Sequence, residues 1–324
     1  MNSLKLGFAG SPFFAERILQ LLLDNPDTKE DLLLVLTQPG RKKGRGQKIS
    51  RTPVEILAKA NNIAVFNPPK LDNLERELHF ALKGLDLLIV VAYGLMIPLK
   101  VLRLPRLGCV NIHPSLLPKW RGAAPIQRSI EYGDKETGVC LMQMVEKLDS
   151  GPVWAKKTIP ISIDDTLDSL QSKLIDLSFA IVIDFIKQFE FGHNLKPLLQ
   201  NDIGISYAFK INKKETLINW ESKALDVHNK IRAFDSEPGS FTFLNGKRIK
   251  MNNSKLIDRE RETGSPGEIL GIQTISGNHE YLVLACSEGM IGIGRLKRDS
   301  GKWVNAREFF NGLKNKTDIK FANS

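Results

Sequence analysis

The sequence predicts an α/β domain built on a mostly parallel sheet, followed by a smaller β-barrel domain. Three observations predict it. Up to residue 191, short apolar runs alternate with amphipathic stretches of helical period. Beyond residue 208 the rhythm changes to short β-like runs broken by Asn-Gly, Ser-Gly and glycine-rich turns. The chain has 324 residues, more than one hydrophobic core usually serves, with an apolar fraction of 42% that is ordinary for a globular protein.

Leu4 to Ala9 reads as the first strand, and Phe13 to Leu23 as the helix after it, with apolar residues spaced three and four apart. The junction Gly7-Phe8-Ala9-Gly10 lacks the GxGxxG spacing of a dinucleotide site. No acidic residue ends the next strand, Leu32 to Thr37, so the glycines are read as tight strand-to-helix packing. Residues 38 to 53, QPGRKKGRGQKISRTP, hold six Lys or Arg and no acid and read as a cationic loop. Helix Val54 to Asn61, strand Ile63 to Phe66, helix Leu74 to Leu82 and strand Leu85 to Val91 continue the alternation. Strand Cys109 to Ile112, helix Ile126 to Tyr132 and strand Gly138 to Met144 follow. Thr166 to Phe191 reads as one long helix, with Asp164 or Asp165 as cap and an apolar stripe through Leu167, Leu170, Leu174, Leu177 and Ile181. A boundary follows, giving a first domain at 1–191, a linker at 192–208 and a second domain at 209–324. The strands of the second are Ser240 to Leu244, Arg248 to Met251, Glu268 to Gln273, Tyr281 to Ala285 and Met290 to Leu296.

Cys109, Cys140 and Cys286 are far apart, odd in number and free of CxxC or Cys/His spacing, which suggests neither a disulfide framework nor a zinc site and fits a reducing cytoplasm. The N-terminus carries no signal-peptide pattern, and no apolar stretch approaches the roughly 20 residues of a membrane span. Forty-six basic against 36 acidic residues give a net charge of +10, which favours a polyanionic partner. Residues 201–324 hold 20 basic and 15 acidic side chains, so they carry +5 of that total.

Asn111 and His113 stand two apart at the end of a strand, so both point to one face, at the strand ends where ligands of such sheets sit. Pro114 to Pro118 cannot continue the strand and form a fixed, partly apolar wall. Asp149, in the turn-like Leu148-Asp149-Ser150-Gly151-Pro152, can aim a carboxylate back at His113. An Asn, His and Asp set without a Ser or Cys nucleophile suits acyl transfer between two bound nitrogen atoms. Taken singly, each has a bland reading: His113 as a core histidine, Asn111 as a strand-end cap, Asp149 as a turn residue.

The run VNIHPSLLPKWRGAAPIQRSI at 110–130, with VAYGLMIP at 91–98 and LDSGPV at 148–153, resembles the signature of 10-formyltetrahydrofolate-dependent formyltransferases. LGFAGSPFFA at 6–15 and TQPGRKKGRGQK at 37–48 narrow the resemblance to the branch that formylates methionine on initiator tRNA. INKKETLINW at 211–220 and IRAFDSEPGSFT at 231–242 are similar to that branch's C-terminal domain, so the match covers nearly the whole chain.

The resemblance implies a Rossmann-like formyltransferase domain and an OB-like barrel. It implies Asn111, His113 and Asp149 as the catalytic trio and Ser115, Leu116, Leu117 and Pro118 as the folate-binding stretch, with a cis bond between Leu117 and Pro118. Tyr93, Gly94, Leu95 and Met96 are implied as pterin contacts, largely through backbone. Arg45 sits at the position that engages the acceptor end of tRNA; Arg41, Lys42, Lys43 and Lys48 beside it, and Lys247, Arg248 and Lys250 in the barrel, are the further tRNA contacts expected. The expected substrates are 10-formyltetrahydrofolate and initiator Met-tRNA, with no metal and no membrane, in a cytoplasmic monomer. Asp235-Ser236-Glu237-Pro238-Gly239-Ser240 departs from the family's more apolar pattern, which bears on the barrel and not on the chemistry. Other formyltransferases, acting on a purine intermediate or an amino sugar nucleotide, are the nearest rivals, then a formyltetrahydrofolate hydrolase. A non-catalytic RNA-binding module is the rival from another class.

Overall fold

The computed structural model describes residues 3–43, 47–257, 264–275, 277–299, 301–314 and 319–322. The chain folds into two compact units. The first comprises Met1–Pro125, Thr137–Ile159 and Gln171–Ala208; the second comprises Ile126–Glu136, Pro160–Leu170 and Phe209–Ser324.

The main sheet has seven strands: β1 (Leu6–Gly10), β2 (Leu32–Leu36), β3 (Ala64–Phe66), β4 (Leu87–Val91), β5 (Cys109–His113), β6 (Glu136–Gln143) and β7 (Val153–Pro160). Their order is β7-β6-β5-β4-β1-β2-β3. Pairing is parallel from β3 through β5 and antiparallel between β5 and β6, where Asn111 lies opposite Met142 and His113 opposite Cys140. Every residue of β1 and β4 is buried, as their unbroken apolar sequences require of strands covered on both faces. Helix α1 (Phe13–Asp24) buries Phe14, Ala15, Ile18, Leu19, Leu22 and Leu23, the stripe its spacing predicts. A Cβ at Gly10 would fall 2.6 Å from that of Ala15 and 2.9 Å from the Val91 oxygen, so this glycine serves close packing, as the sequence suggests.

Strand β7 is absent from the sequence reading, and the long helix, α2 (Leu167–Glu190), is capped differently from expectation. Thr166 Oγ1 accepts from Ser169 N at 3.3 Å, while Asp165 receives Ser162 N and the Ser169 hydroxyl.

In the second unit β8 (Ser240–Leu244), β9 (Lys247–Ile257), β10 (Ile269–Ile275), β11 (His279–Ala285) and β12 (Met290–Arg298) form an antiparallel sheet in the order β8-β9-β12-β11-β10. Residues 319–322 bridge both outer strands, Ala322 to Phe243 on β8 and Lys320 to Glu268 beside β10, so the sheet closes through the chain's last described segment. Its core holds Trp220, Ile231, Met251, Leu282, Ile293, Phe309 and Phe321. Helix α3 (Ala224–Ala233), which the sequence reading lacks, buries Val227 and Ile231 together with His228, Asn229 and Arg232. Arg232 is held by the Asn229 carboxamide and the carbonyls of Ser162 and Asp165.

Among the described residues no helix is long and apolar enough to cross a membrane. The three cysteines are free and buried, and burial pushes their thiols up to about 12, 11 and 12 at Cys109, Cys140 and Cys286.

Candidate active site

The strand order reverses between β1 and β4, the point at which open α/β sheets leave a crevice beyond their C-terminal strand ends. A cavity of about 560 Å³ lies there. Pro12 and Phe14 after β1, Val90 and residues 92–97 at the end of β4, and Asn111 and His113 at the end of β5 line it, together with Met142, Met144 and Asp149. Its size falls within the roughly 300–1,000 Å³ typical of small-molecule sites, and its apolar walls suit a flat ring system.

Asn111 and His113 share this face, as their period-2 spacing predicts. His113 is 3% exposed, and its Nε2 lies 2.9 Å from the Trp120 carbonyl, an acceptor only, so Nε2 carries a hydrogen. Its Nδ1 therefore faces Asp149, at 3.8 Å from Oδ2. That carboxylate oxygen also accepts from the Gly122 backbone N–H at 2.8 Å. The Asn111 carboxamide has no protein partner among the described residues, which leaves it free for a ligand.

Three non-glycine residues around these groups have left-handed backbone: Ala92 (φ 44°), Trp120 (φ 62°) and Asp149 (φ 47°). Such conformations are uncommon outside glycine and cost about 1–3 kcal/mol each, so the surrounding contacts must hold them. At Trp120 the backbone N–H donates to Ser206 Oγ at 3.0 Å, and the carbonyl of the same residue faces His113.

Tyr93, Gly94, Leu95 and Met96 line the cavity. The Tyr93 carbonyl receives Ser11 Oγ at 3.0 Å and Gln38 Nε2 at 2.9 Å, and Gly94, at φ 80°, packs its Cα so closely on Gln38 that a Cβ would collide with that amide. The Tyr93 hydroxyl is buried without a partner among the described residues, and burial pushes its pKa up to about 12. Ser115, Leu116, Leu117 and Pro118 are not among the lining residues. They form a turn, with Ser115 Oγ donating to the Lys119 carbonyl at 2.6 Å, Leu117 N donating to Cys140 Sγ at 3.4 Å, and a cis Leu117–Pro118 peptide. Among the described residues no group of three His, Cys, Asp or Glu could hold a metal ion.

Residues 1–186 match the formyl transferase family, and residues 210–314 match the formyl transferase C-terminal domain. A methionyl-tRNA formyltransferase of Pseudomonas fluorescens (strain Pf0-1) is 42% identical over 313 residues, covering 97% of this chain and 94% of that protein. One of Pseudomonas putida (strain W619) is also 42% identical, covering 97% of each. The chain belongs to the methionyl-tRNA formyltransferase family. Solved structures share the fold at lower identity: HypX from Aquifex aeolicus in complex with tetrahydrofolic acid (TM-score 0.63, 20% identity, 98% of this chain and 51% of that one) and WlaRD, a sugar 3N-formyl transferase (TM-score 0.64, 21% identity, 93% and 100%).

In this formyltransferase the basic segment contributes two short strands, Arg41–Lys43 and Lys48–Ser50, paired antiparallel. Arg41 and Lys42 are exposed, and Arg41 Nη2 donates to Gln38 Oε1 at 2.6 Å. Lys43 and Lys48 pair through backbone, and Arg45 lies outside the described residues. In the barrel Lys247 is exposed, but Arg248 stacks on Phe241, with its guanidinium carbon 3.9 Å from the ring centroid, and Lys250 donates to the Pro238 carbonyl at 2.7 Å. These two cations are already engaged within the barrel.

Sequence reasoning missed two members of the site, the Trp120 carbonyl and the Gly122 N–H. Both lie in the WRG of the signature run, which was the only available signal.

Proposed function

We propose that the chain moves the formyl group of 10-formyltetrahydrofolate onto the α-amino group of methionine carried by initiator Met-tRNA, giving formyl-Met-tRNA for translation initiation. The observation that carries this reading is the unpartnered Asn111 carboxamide beside the His113–Asp149 pair, inside a cavity with apolar walls and no Ser or Cys nucleophile.

The folate supplies an activated formyl group. The chain's part is to hold it, aim charge and move protons. The backbone at Tyr93–Met96 and the Met142 and Met144 wall hold the ring, while Ser115–Pro118 stiffen the turn behind it. Asn111 donates to the formyl oxygen as negative charge gathers there. His113 delivers a proton through Nδ1 to the departing folate nitrogen, because Nε2 is committed to the Trp120 carbonyl. Asp149 orients that ring and receives, through a water, the proton lost by the amine. A free α-amino group titrates at roughly 7.7–8.0, so much of the acceptor is neutral already and a strong base is unnecessary.

Residues 1–191 are proposed as the catalytic domain and 209–324 as the tRNA-binding domain. The basic segment 41–51, Arg45 included, is proposed to meet the acceptor end, with exposed Lys247 contributing more than Arg248 and Lys250, which are engaged within the barrel. The same reading makes the enzyme a cytoplasmic monomer.

Incubation with charged initiator tRNA and 10-formyltetrahydrofolate is expected to yield formyl-methionine. His113→Ala and Asp149→Ala should each lower kcat about 10²–10⁴-fold in a folded protein. Product from an amino sugar nucleotide instead would reassign the acceptor, and RNA binding without product would make the chain a binding module.

A further inference from the structure

Segment 198–208, which follows α2 and carries no motif, is built into the catalytic site. Leu198 forms an antiparallel bridge with Val153, and Tyr207 and Ala208 pair in parallel with Arg121 and Gly122. Ser206 Oγ accepts from Trp120 N, the residue whose carbonyl holds His113. Between these points stands Gln200. Its Nε2 donates to the carbonyls of Asp149 at 2.9 Å and Gly151 at 2.8 Å, and its Oε1 accepts from Arg121 Nε at 3.1 Å and Nη2 at 2.7 Å. Arg121 is 4% exposed, so its buried guanidinium polarises the carboxamide whose N–H groups grip the turn.

We propose that Gln200 is a positioning residue for formyl transfer. It clamps residues 149–151 and so keeps Asp149 in its left-handed conformation, with the carboxylate on the Gly122 N–H and beside His113 Nδ1. The kinetic consequence rests on the function proposed above, and the clamp on geometry alone. Only a carboxamide offers two donors on one side and an acceptor on the other. Gln200→Glu keeps the acceptor for Arg121 but turns a carboxylate oxygen onto two carbonyls, so it breaks the clamp while leaving the buried arginine paired.

The kinetic test is Gln200→Glu assayed with Met-tRNA and 10-formyltetrahydrofolate. The expected result is a kcat about 10-fold to 100-fold lower, with both KM values within about twofold of wild type, because the carboxylate is misplaced and the pocket is not. Combining it with Asp149→Ala should give an enzyme no slower than Asp149→Ala alone, since Gln200 acts through Asp149. Losses that multiply in both backgrounds would show a general structural role and overturn the proposal.

A second readout needs no turnover. By hydrogen exchange on the full chain, the Gly122 amide should exchange about tenfold faster in Gln200→Glu while β1 and β4 stay protected. Unchanged protection at Gly122 overturns the clamp whatever happens to kcat. A wild-type chain that forms no formyl-methionine counts against the function instead, and the exchange result then decides the clamp by itself.

Discussion

At the scale of single residues, the site divides into side chains that carry a signature and backbone groups that do not. Asn111 and His113 are legible because a strand fixes their common face, and Asp149 because a Ser-Gly-Pro turn follows it. The Trp120 carbonyl and Gly122 N–H are invisible in the same way that any peptide group is: every residue has one, and only the fold brings these two to His113 and Asp149. The proposed charge-stabilising donor gives the sharpest test at this scale. Asn111→Leu is expected to lower kcat about 10²–10³-fold while the folate KM moves little, read by formyl-Met-tRNA formation. A kcat within about threefold of wild type would assign that role to another group.

Among the elements, what was legible follows from burial on both faces. Strands β1 and β4 are unbroken apolar runs because both their faces are covered, and α1 shows its stripe because one face is. Strand β7 reads Val-Trp-Ala-Lys-Lys-Thr-Ile-Pro at the edge of the sheet, where every second residue toward its end is exposed and lysines guard the open side. Helix α3 escaped because His228, Asn229 and Arg232 share its buried face with Val227 and Ile231, so its apolar stripe is interrupted by polar side chains. The strands Arg41–Lys43 and Lys48–Ser50 read as a loop since they are only three residues each. One glycine joins the elements to the site. A Cβ on Gly151 would overlap the Gln143 carbonyl, so the turn from β6 to β7 admits no side chain there. Gly151→Ala should therefore destabilise the protein by about 1–3 kcal/mol and reduce kcat together with it, seen as a lower urea midpoint. An unchanged midpoint with full activity would mean that the turn relaxes freely.

For the molecule as a whole, net charge distinguishes the two proposed substrates. A surplus of +10, with Arg41, Lys42 and Lys247 exposed, predicts that tRNA binding releases counterions and weakens steeply with salt. For three or four phosphate contacts, affinity should fall about 10-fold to 100-fold between roughly 50 and 200 mM salt, while the folate KM changes by less than about threefold. Filter binding at several salt concentrations gives the slope, and a flat line would point to an acceptor without a polyanionic body. Composition could show this charge but not which cations are spent inside the barrel, as Arg248 is on Phe241 and Lys250 on Pro238. Segment 198–208 also governs where the chain can be recombined with a relative. A crossover placed at the end of α2 would discard Gln200, Ser206 and the partners of Val153 and Arg121, and strand the recipient's buried arginine against foreign sequence. A crossover after Ala208 carries the whole brace along and leaves the His113–Asp149 pair intact, but it divides the second unit, so the incoming tail must keep an arginine at 232 that fits the recipient's Ser162 and Asp165 carbonyls.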